Sequence, residues 1–473
     1  AQEDRGQVDA ALASVETALR LRPTDAQLHF RRATVLVRQM RMPEAQAAYR
    51  EGLRLMPDAA HMHSSLLYSM MYVDAPAEAV AAEHREWARR HTAHIPRITQ
   101  YPNSRDPERT LHVAQVAPTF KAHAGGIVAR GWIEHFDRKA VEITLYSDVT
   151  APDHLTAHYK ARANRWRDVA GWSDERLAAQ IQADGIDILI DRSGHAADHR
   201  LLLFARRPAP IQVNYLEYMN TTGLDAIDYW LSDPLLTPLS LQPQYAERIW
   251  HLERCLAHYS PPPECPTVPP LPAQANGHVT FSVFNNPLKI TPRCLATYAR
   301  ILHALPSARL AFKYGAWSQA EVCDRMRQRL AAEGIGPERV TFAGASTRQA
   351  YLAAFGATDI ALDTFPTAGL VTTLEALWMG VPVVSLCGET TAARIGLSLL
   401  TALGHPEWVA STEQQYVDLA VALASDVPKL AALRASLREQ MARSPLRDGP
   451  GHARSIESAL RDMWRQWCKG GGG

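Results

Sequence analysis

Along residues 1–100 apolar positions recur at helical spacing, whereas from Leu111 onward they gather into short runs separated by amphipathic stretches. The first pattern predicts paired helices. The second predicts strands alternating with helices, the βαβ rhythm of a parallel sheet covered on both faces. His112–Ala117, Val141–Tyr146, Ile186–Ile190 and Ile211–Tyr215 read as strands, and Asp174–Ala183 as a helix. A proline-rich break runs from Ser260 to Pro272; lacking regular backbone donors, it reads as a linker. The rhythm restarts with strands at Val279–Phe284, Leu310–Tyr314, Val340–Phe342, Ile360–Leu362 and Val381–Leu386. It ends in helices at Tyr416–Ala424, Lys429–Met441 and Ala453–Trp467. Two doubly wound lobes joined by a linker would leave a cleft between them.

The helical start carries a repeat. Ala18-Leu-Arg-Leu-Arg-Pro23 recurs as Gly52-Leu-Arg-Leu-Met-Pro57 at an offset of 34 residues, the tetratricopeptide (TPR) period, with Ala33, Ala45, Ala48 and Tyr49 placed for close helix packing. So short an array calls for a longer one or for docking on the next domain. It serves either as a groove for an extended peptide or as a structural cap. The domain order expected is TPR-like helices over 1–100, a first catalytic lobe over 110–260, the linker over 261–275, a second lobe over 276–426, C-terminal helices over 427–469 and a flexible tail over 470–473.

One segment combines strand, turn and helix. In Asp359–Gly380, Ile360–Leu362 is a buried strand, Pro366–Gly369 a turn and Thr372–Trp378 a helix. A helix starting near Thr372 offers free N–H groups, the hydroxyls of Thr372 and Thr373, and the positive end of its dipole to a diphosphate. An ordinary strand-to-helix connection is the competing reading.

Composition narrows the class. Lys plus Arg is 50 against 49 for Asp plus Glu, so a net charge of +1 gives no general pull toward nucleic acid or acidic membranes. No apolar run reaches the length of a membrane span and no signal peptide is read at the start, which predicts a cytoplasmic protein. The six cysteines contain no C-x-x-C pair and the 19 histidines no H-E-x-x-H, so neither a disulfide framework nor a zinc site is expected. The absence of G-x-G-x-x-G after either first strand, of a P-loop and of any D-x-D triplet disfavours dehydrogenases, P-loop enzymes and metal-dependent sugar transferases.

Phe284-Asn-Asn-Pro-Leu-Lys-Ile-Thr-Pro292, Asp363-Thr-Phe-Pro366 with Thr372-Thr-Leu-Glu375, Gly380-Val-Pro382, Arg207-Pro-Ala-Pro210, Asn220-Thr-Thr-Gly223, Ser444-Pro-Leu-Arg-Asp-Gly-Pro450 and Met463-Trp-Arg-Gln-Trp-Cys468 together resemble the catalytic region of the protein O-GlcNAc transferase and SPINDLY family. The likeness runs from about Leu111 to the end. It implies an α/β fold of GT-B type, a pair of Rossmann-like lobes preceded by an all-α TPR-like region. It also implies an inverting, metal-independent transferase moving GlcNAc or fucose from UDP-GlcNAc or GDP-fucose to Ser/Thr hydroxyls of proteins, with no further cofactor. The protein or peptide acceptor would bind through the helical repeats.

By the same resemblance, Lys289 contacts the donor diphosphate, where an ammonium would stabilise the leaving group; an exposed loop lysine is the alternative. Asn285 and Asn286 bond to donor or acceptor, or only to their own turn. Gly369, Thr372 and Thr373 belong to the phosphate-binding turn and helix start. Glu375 accepts from ribose hydroxyls unless it is merely solvated, and Arg348 and Tyr351 lie near the base. His123, in the first strand-to-helix loop, is the second catalytic candidate, either positioning the acceptor or taking a proton. His195 and Tyr218 are placed on the acceptor side. Departures at three places stand out: Ile127 where the family has His or Tyr, Glu217 and Met219 in place of a Gly-Tyr-Pro element, and Leu370-Val371 in place of a polar run. They predict altered donor, acceptor or activity. The rival readings are a peptide-binding scaffold with a degenerate transferase domain and a transferase for a glycan or small molecule.

Overall fold

Seven buried or half-buried runs form one parallel sheet: β1 (Leu111–Ala117), β2 (Val141–Ser147), β3 (Arg165–Asp168), β4 (Ile188–Asp191), β5 (Ile211–Tyr215), β6 (Tyr229–Ser232) and β7 (Arg248–His251), in the order β3-β2-β1-β4-β5-β6-β7. Six more form a second: β8 (Thr280–Val283), β9 (Arg309–Lys313), β10 (Val340–Ala343), β11 (Ile360–Leu362), β12 (Val383–Leu386) and β13 (Val409–Ala410), in the order β10-β9-β8-β11-β12-β13. Every neighbouring pair is parallel. These are features of a computed structural model that describes residues 8–470, so residues 471–473 of the expected tail lie outside the described residues.

In each sheet the strand order reverses at one place, between β1 and β4 and between β8 and β11. In open parallel sheets ligands bind beyond the carboxyl ends of the strands at such a switch point. The loops leaving β1, β4, β8 and β11 carry His123, His195, Lys289 and the Pro366–Gly369 turn respectively.

The chain divides into two compact units that cut across sequence order: residues 8–74 with 261–444, and residues 75–260 with 445–470. In the six-stranded unit, helices Val8–Leu21, Ala26–Arg38, Met42–Leu55 and Ala60–Met70 precede the sheet. Ala33, Ala45 and Ala48 are buried where helix Ala26–Arg38 meets helix Met42–Leu55, and a side chain at Gly52 would overlap the Phe30 ring. These small residues set the close approach read from the repeat. The helices are tied to the sheet-bearing part by Asp9–Arg325 and Asp74–Arg293 ion pairs at 3.0 and 3.1 Å and by the Thr367 hydroxyl donating to the Met71 carbonyl.

The proline-rich segment is pinned rather than loose. Arg434, 1% exposed on helix Val427–Arg443, donates to the carbonyls of Pro269 (2.8 Å) and Thr358 (2.7 Å), and Arg438 donates to Pro266 O at 2.8 Å. Carbonyls that proline leaves without neighbouring donors are thus satisfied by guanidinium groups. Pro272 then opens a short helix, Pro272–Asn276, at the one position where its missing N–H costs nothing.

In the seven-stranded unit, helix Ala77–Thr92 precedes the sheet and helix Gly449–Lys469 closes it, burying Ile456, Leu460, Met463 and Trp464. The buried His452 of this last helix joins two other imidazoles: His258 stacks on His452 with ring centroids 5.7 Å apart, and His135 meets His258 edge-on at 6.1 Å. On the outer edge of β7 the Gln242 side-chain amide accepts from Ile249 N–H (3.0 Å) and donates to Glu247 C=O (2.8 Å). Among the described residues no helix is long and apolar enough to cross a membrane.

Candidate active site

At the switch point of the six-stranded sheet, Asn286 caps the turn Pro287–Lys289 by accepting from Leu288 N–H at 3.1 Å, and that turn lifts Lys289 beyond β8. Asn286 is therefore engaged by its own backbone. The Lys289 ammonium donates to the carbonyl of Ala368 at 2.8 Å, inside the turn that follows β11. An ammonium has three donors, so this anchor leaves N–H groups for a ligand. Burial pushes the Lys289 ammonium down to about 8, against the opposing pull of the Asp363 carboxylate. The sequence alternative of an exposed loop lysine does not describe this side chain.

The turn opens with a cis Phe365–Pro366 bond and leads into helix Val371–Trp378, which starts one residue before the expected Thr372. Leu370 at the N-cap supplies no side-chain acceptor, so the first N–H groups of the helix are left for an external partner. Gly369 lies so close to Asn285, Thr373 and Asp363 that a Cβ there would sit 3.0, 3.1 and 3.3 Å from their polar atoms. Phe284, Asn285, Phe355, Asp363, Thr372 and Thr373 line a small cavity at this point. Asn285 donates to Asp363 Oδ1 (3.1 Å) and Thr364 Oγ1 (2.7 Å).

Glu375, 1% exposed one turn into the helix, is ion-paired to Arg348 and hydrogen-bonded by the Tyr351 hydroxyl, which also bonds to Thr372. It is not a solvated glutamate. Burial raises its carboxyl above the usual range while Arg348 opposes the shift. Tyr351 packs against Phe284 and Phe355, with centroids 5.7 and 5.8 Å apart. Lys289, Asn285, Gly369, Thr372, Thr373, Glu375, Arg348 and Tyr351 are therefore brought together in one lobe.

The seven-stranded lobe has its own cluster. His123 is the N-cap of helix Ala124–His135, its Nδ1 accepting from Gly125 N–H at 3.2 Å. In the neutral ring the proton is then on Nε2, so His123 presents a donor, and a proton-accepting role requires breaking the cap. The surrounding protein holds its imidazole below the usual value, with Lys121 and Arg192 adding to the effect and Glu217 opposing it. Glu217, one of the departures, is ion-paired to the fully buried Arg192 and accepts from Thr119 Oγ1 at 2.6 Å. Its carboxylate fills the space over Gly125, where a Cβ would fall 2.1–2.6 Å from it.

His195 and Tyr218, the two residues expected on the acceptor side, are 2% and 0% exposed. His195 bonds to Thr222 O at 2.8 Å and packs edge-on against Trp87, and Tyr218 bonds to His84 at 2.7 Å. Asp191, at the end of β4 and pushed up to about 6 by burial, shapes the preceding turn by accepting from Ser193 and Gly194 N–H groups. Sequence reasoning gave no role to Asp363 or Arg192. Charged residues at the carboxyl end of an apolar strand, at a switch point, were the available signal: Asp363 after β11, and Arg192 next to Asp191 after β4.

Residues 50–257 and 270–456 match the family model described as Glycosyl transferase family 41. A protein of Arabidopsis thaliana named "Probable UDP-N-acetylglucosamine--peptide N-acetylglucosaminyltransferase SPINDLY" is 38% identical over 424 residues, covering 88% of this chain and 46% of that protein. The similarly named SEC protein of the same plant is 29% identical, covering 76% of this chain and 38% of that protein. This chain thus spans about half the length of the curated relatives it matches. A solved structure of a lysine-to-methionine mutant of the Thermobaculum terrenum O-GlcNAc transferase superposes with a TM-score of 0.94 at 35% identity, covering 98% of this chain and 89% of that one.

Proposed function

The chain belongs to glycosyl transferase family 41 and has its GT-B-type pair of Rossmann-like sheets, and from that premise we propose that it moves a sugar from a nucleotide-linked donor to a Ser or Thr hydroxyl of a protein, inverting the anomeric carbon without a metal ion. The carrying observation is the Lys289 ammonium, anchored on Ala368 beside a helix start that has no side-chain cap. The acceptor oxygen bonds to the anomeric carbon as the bond to the diphosphate oxygen breaks; the electron pair of that bond leaves with the nucleoside diphosphate, and the proton of the acceptor hydroxyl is released to water. Lys289 and the first N–H groups of helix Val371–Trp378 receive the growing charge. Thr372 and Thr373 add hydroxyls to the same end.

Arg348, Tyr351 and Glu375 form the nucleoside side of the donor site. Because Glu375 is already held by Arg348 and Tyr351, a ribose hydroxyl shares its carboxylate rather than meeting a free one. The donor is UDP-GlcNAc or GDP-fucose, the two sugars the family resemblance implies. His123 offers its Nε2–H on the acceptor side, and the helices between Val8 and Met70 guide the protein acceptor. None of the six cysteines is in a disulfide, which suits a reducing, cytoplasmic compartment.

Calorimetric titration with UDP, GDP and their sugars, followed by transfer of labelled sugar to lysate proteins, tests this reading. Binding of one diphosphate with labelling of protein supports it. Absence of binding to either nucleotide would sink it in favour of a peptide-binding scaffold, and labelling of glycans or small molecules alone would move the acceptor.

A further inference from the structure

Asp363 directly follows β11, 2% exposed, and its side chain gathers donors from three separate stretches of chain. Oδ1 accepts from Gly369 N–H (2.7 Å), Thr364 N–H (2.9 Å) and Asn285 Nδ2 (3.1 Å), and Oδ2 accepts from the Ser385 hydroxyl (2.8 Å). Its backbone carbonyl accepts from the hydroxyls of Tyr298 (2.9 Å) and Tyr416 (2.8 Å). Burial raises the Asp363 carboxyl above the usual range, and the bonds from Gly369, Ser385 and Asn285 together with the Lys289 charge oppose that shift and favour the ionised carboxylate. The turn it organises is the one whose Ala368 carbonyl holds the Lys289 ammonium.

We propose that Asp363 is a positioning residue of the donor site, fixing the turn 364–369 through its hydrogen bonds and, as the buried counter-charge of Lys289, keeping that lysine cationic where the diphosphate leaves. The proposal rests on the reading of Lys289 as the group that meets the diphosphate. Two contributions are separable in one substitution. In Asp363→Asn the carbonyl oxygen keeps the Gly369, Thr364 and Asn285 bonds, while the new amide donates to Ser385, whose hydroxyl turns to accept. The turn is retained and the charge is lost. The opposing pull of Asp363 on the lysine, against the burial that drives it down to about 8, disappears with it.

The test is the pH profile of UDP and GDP affinity, measured by calorimetry between pH 6 and pH 9 on the full chain. In the parent, half of Lys289 is deprotonated near pH 8, so affinity falls about twofold between pH 6 and pH 8. In Asp363→Asn the loss of an adjacent opposite charge lowers the lysine by about one further unit, and affinity falls about tenfold over the same range. A parent-like profile in the variant, whatever its absolute affinity, overturns the proposal, because a purely structural role lowers affinity equally at every pH.

A second measurement needs no ligand. The rate of acetylation of Lys289 by acetic anhydride, followed by peptide mass spectrometry, should show a midpoint about one unit lower in Asp363→Asn. An unmoved midpoint refutes the proposal. If the parent binds neither nucleotide, the donor reading fails on its own, and the acetylation midpoint still decides whether Asp363 controls the charge of Lys289.

Discussion

Replacing Lys289 by Met should make the protein more stable and less active at once. The folded state holds this ammonium at about 8, whereas a free lysine titrates near 10.4. The unfolded chain therefore binds the proton more tightly, and stability rises as pH increases from about 8 to about 10.4. Below pH 8 the folded state carries the whole cost of a charge it disfavours, about 3 kcal/mol for a gap of roughly 2.4 units. Methionine removes that cost, keeps most of the aliphatic stem, and loses one hydrogen bond to Ala368 worth about 1 kcal/mol. The net gain at pH 7 is about 2 kcal/mol, a rise of about 4 °C in the melting of the six-stranded unit. The gain should vanish above about pH 10. Loss of the cation that meets the leaving diphosphate should lower transfer by about a hundredfold to a thousandfold. The assays are scanning calorimetry at pH 7 and pH 10 and single-turnover transfer of labelled sugar. A variant that melts below the parent at pH 7, or transfers at the parent's rate, would refute the reasoning.

Glu217→Ala leaves Arg192 buried without its carboxylate, so urea unfolding should show a loss of about 3 kcal/mol, largely recovered in the double variant with Arg192→Met; a change below about 0.5 kcal/mol would contradict the buried pair. Gly369→Ala puts a methyl 3.0 Å from Asn285 Nδ2 and 3.1 Å from Thr373 Oγ1, and calorimetry should register a several-fold drop in nucleotide diphosphate affinity with the fold intact. Burial holds His258 down to about 4 and His452 down to about 3, so the unfolded chain takes up more protons once pH falls below about 6.5. Stability should then decline by about 1.4 kcal/mol per pH unit for each ring down to about pH 4. Circular dichroism melts from pH 7 to pH 4 check this, and His258→Asn should flatten the slope.

Periodicity made most of the interior of both sheets readable, β6 (Tyr229–Ser232) excepted. Asp174–Ala183, Ile211–Tyr215 and Ile360–Leu362 fall where the pattern put them, and the helix after the Pro366–Gly369 turn begins at Val371 instead of Thr372. Of the edge strands only β10 was readable. β3 is Arg-Trp-Arg-Asp with no buried residue, and β13 has only two residues, so neither carries the apolar run that marks a strand. Of the donor site, the motif residues could be named, but their partners could not. The donors to Asp363 come from residues 285, 364, 369 and 385, and Arg192 reaches Glu217 across 25 residues, distances at which local pattern has no reach. The burial of His195 and Tyr218 depends on Trp87 and His84, more than a hundred residues earlier. The grouping of residues 8–74 with the six-stranded sheet likewise rests on pairs such as Asp9–Arg325.

The amide of Gln242 has a consequence for the molecule's dealings with other chains. By occupying the outward-facing N–H of Ile249 in β7 and the C=O of Glu247 just before the strand, it covers part of the margin where a foreign strand would zip on. That side chain thereby helps to blunt a template for aggregation, alongside the exposed Arg248 of the same strand and Pro243 in the turn that carries Gln242.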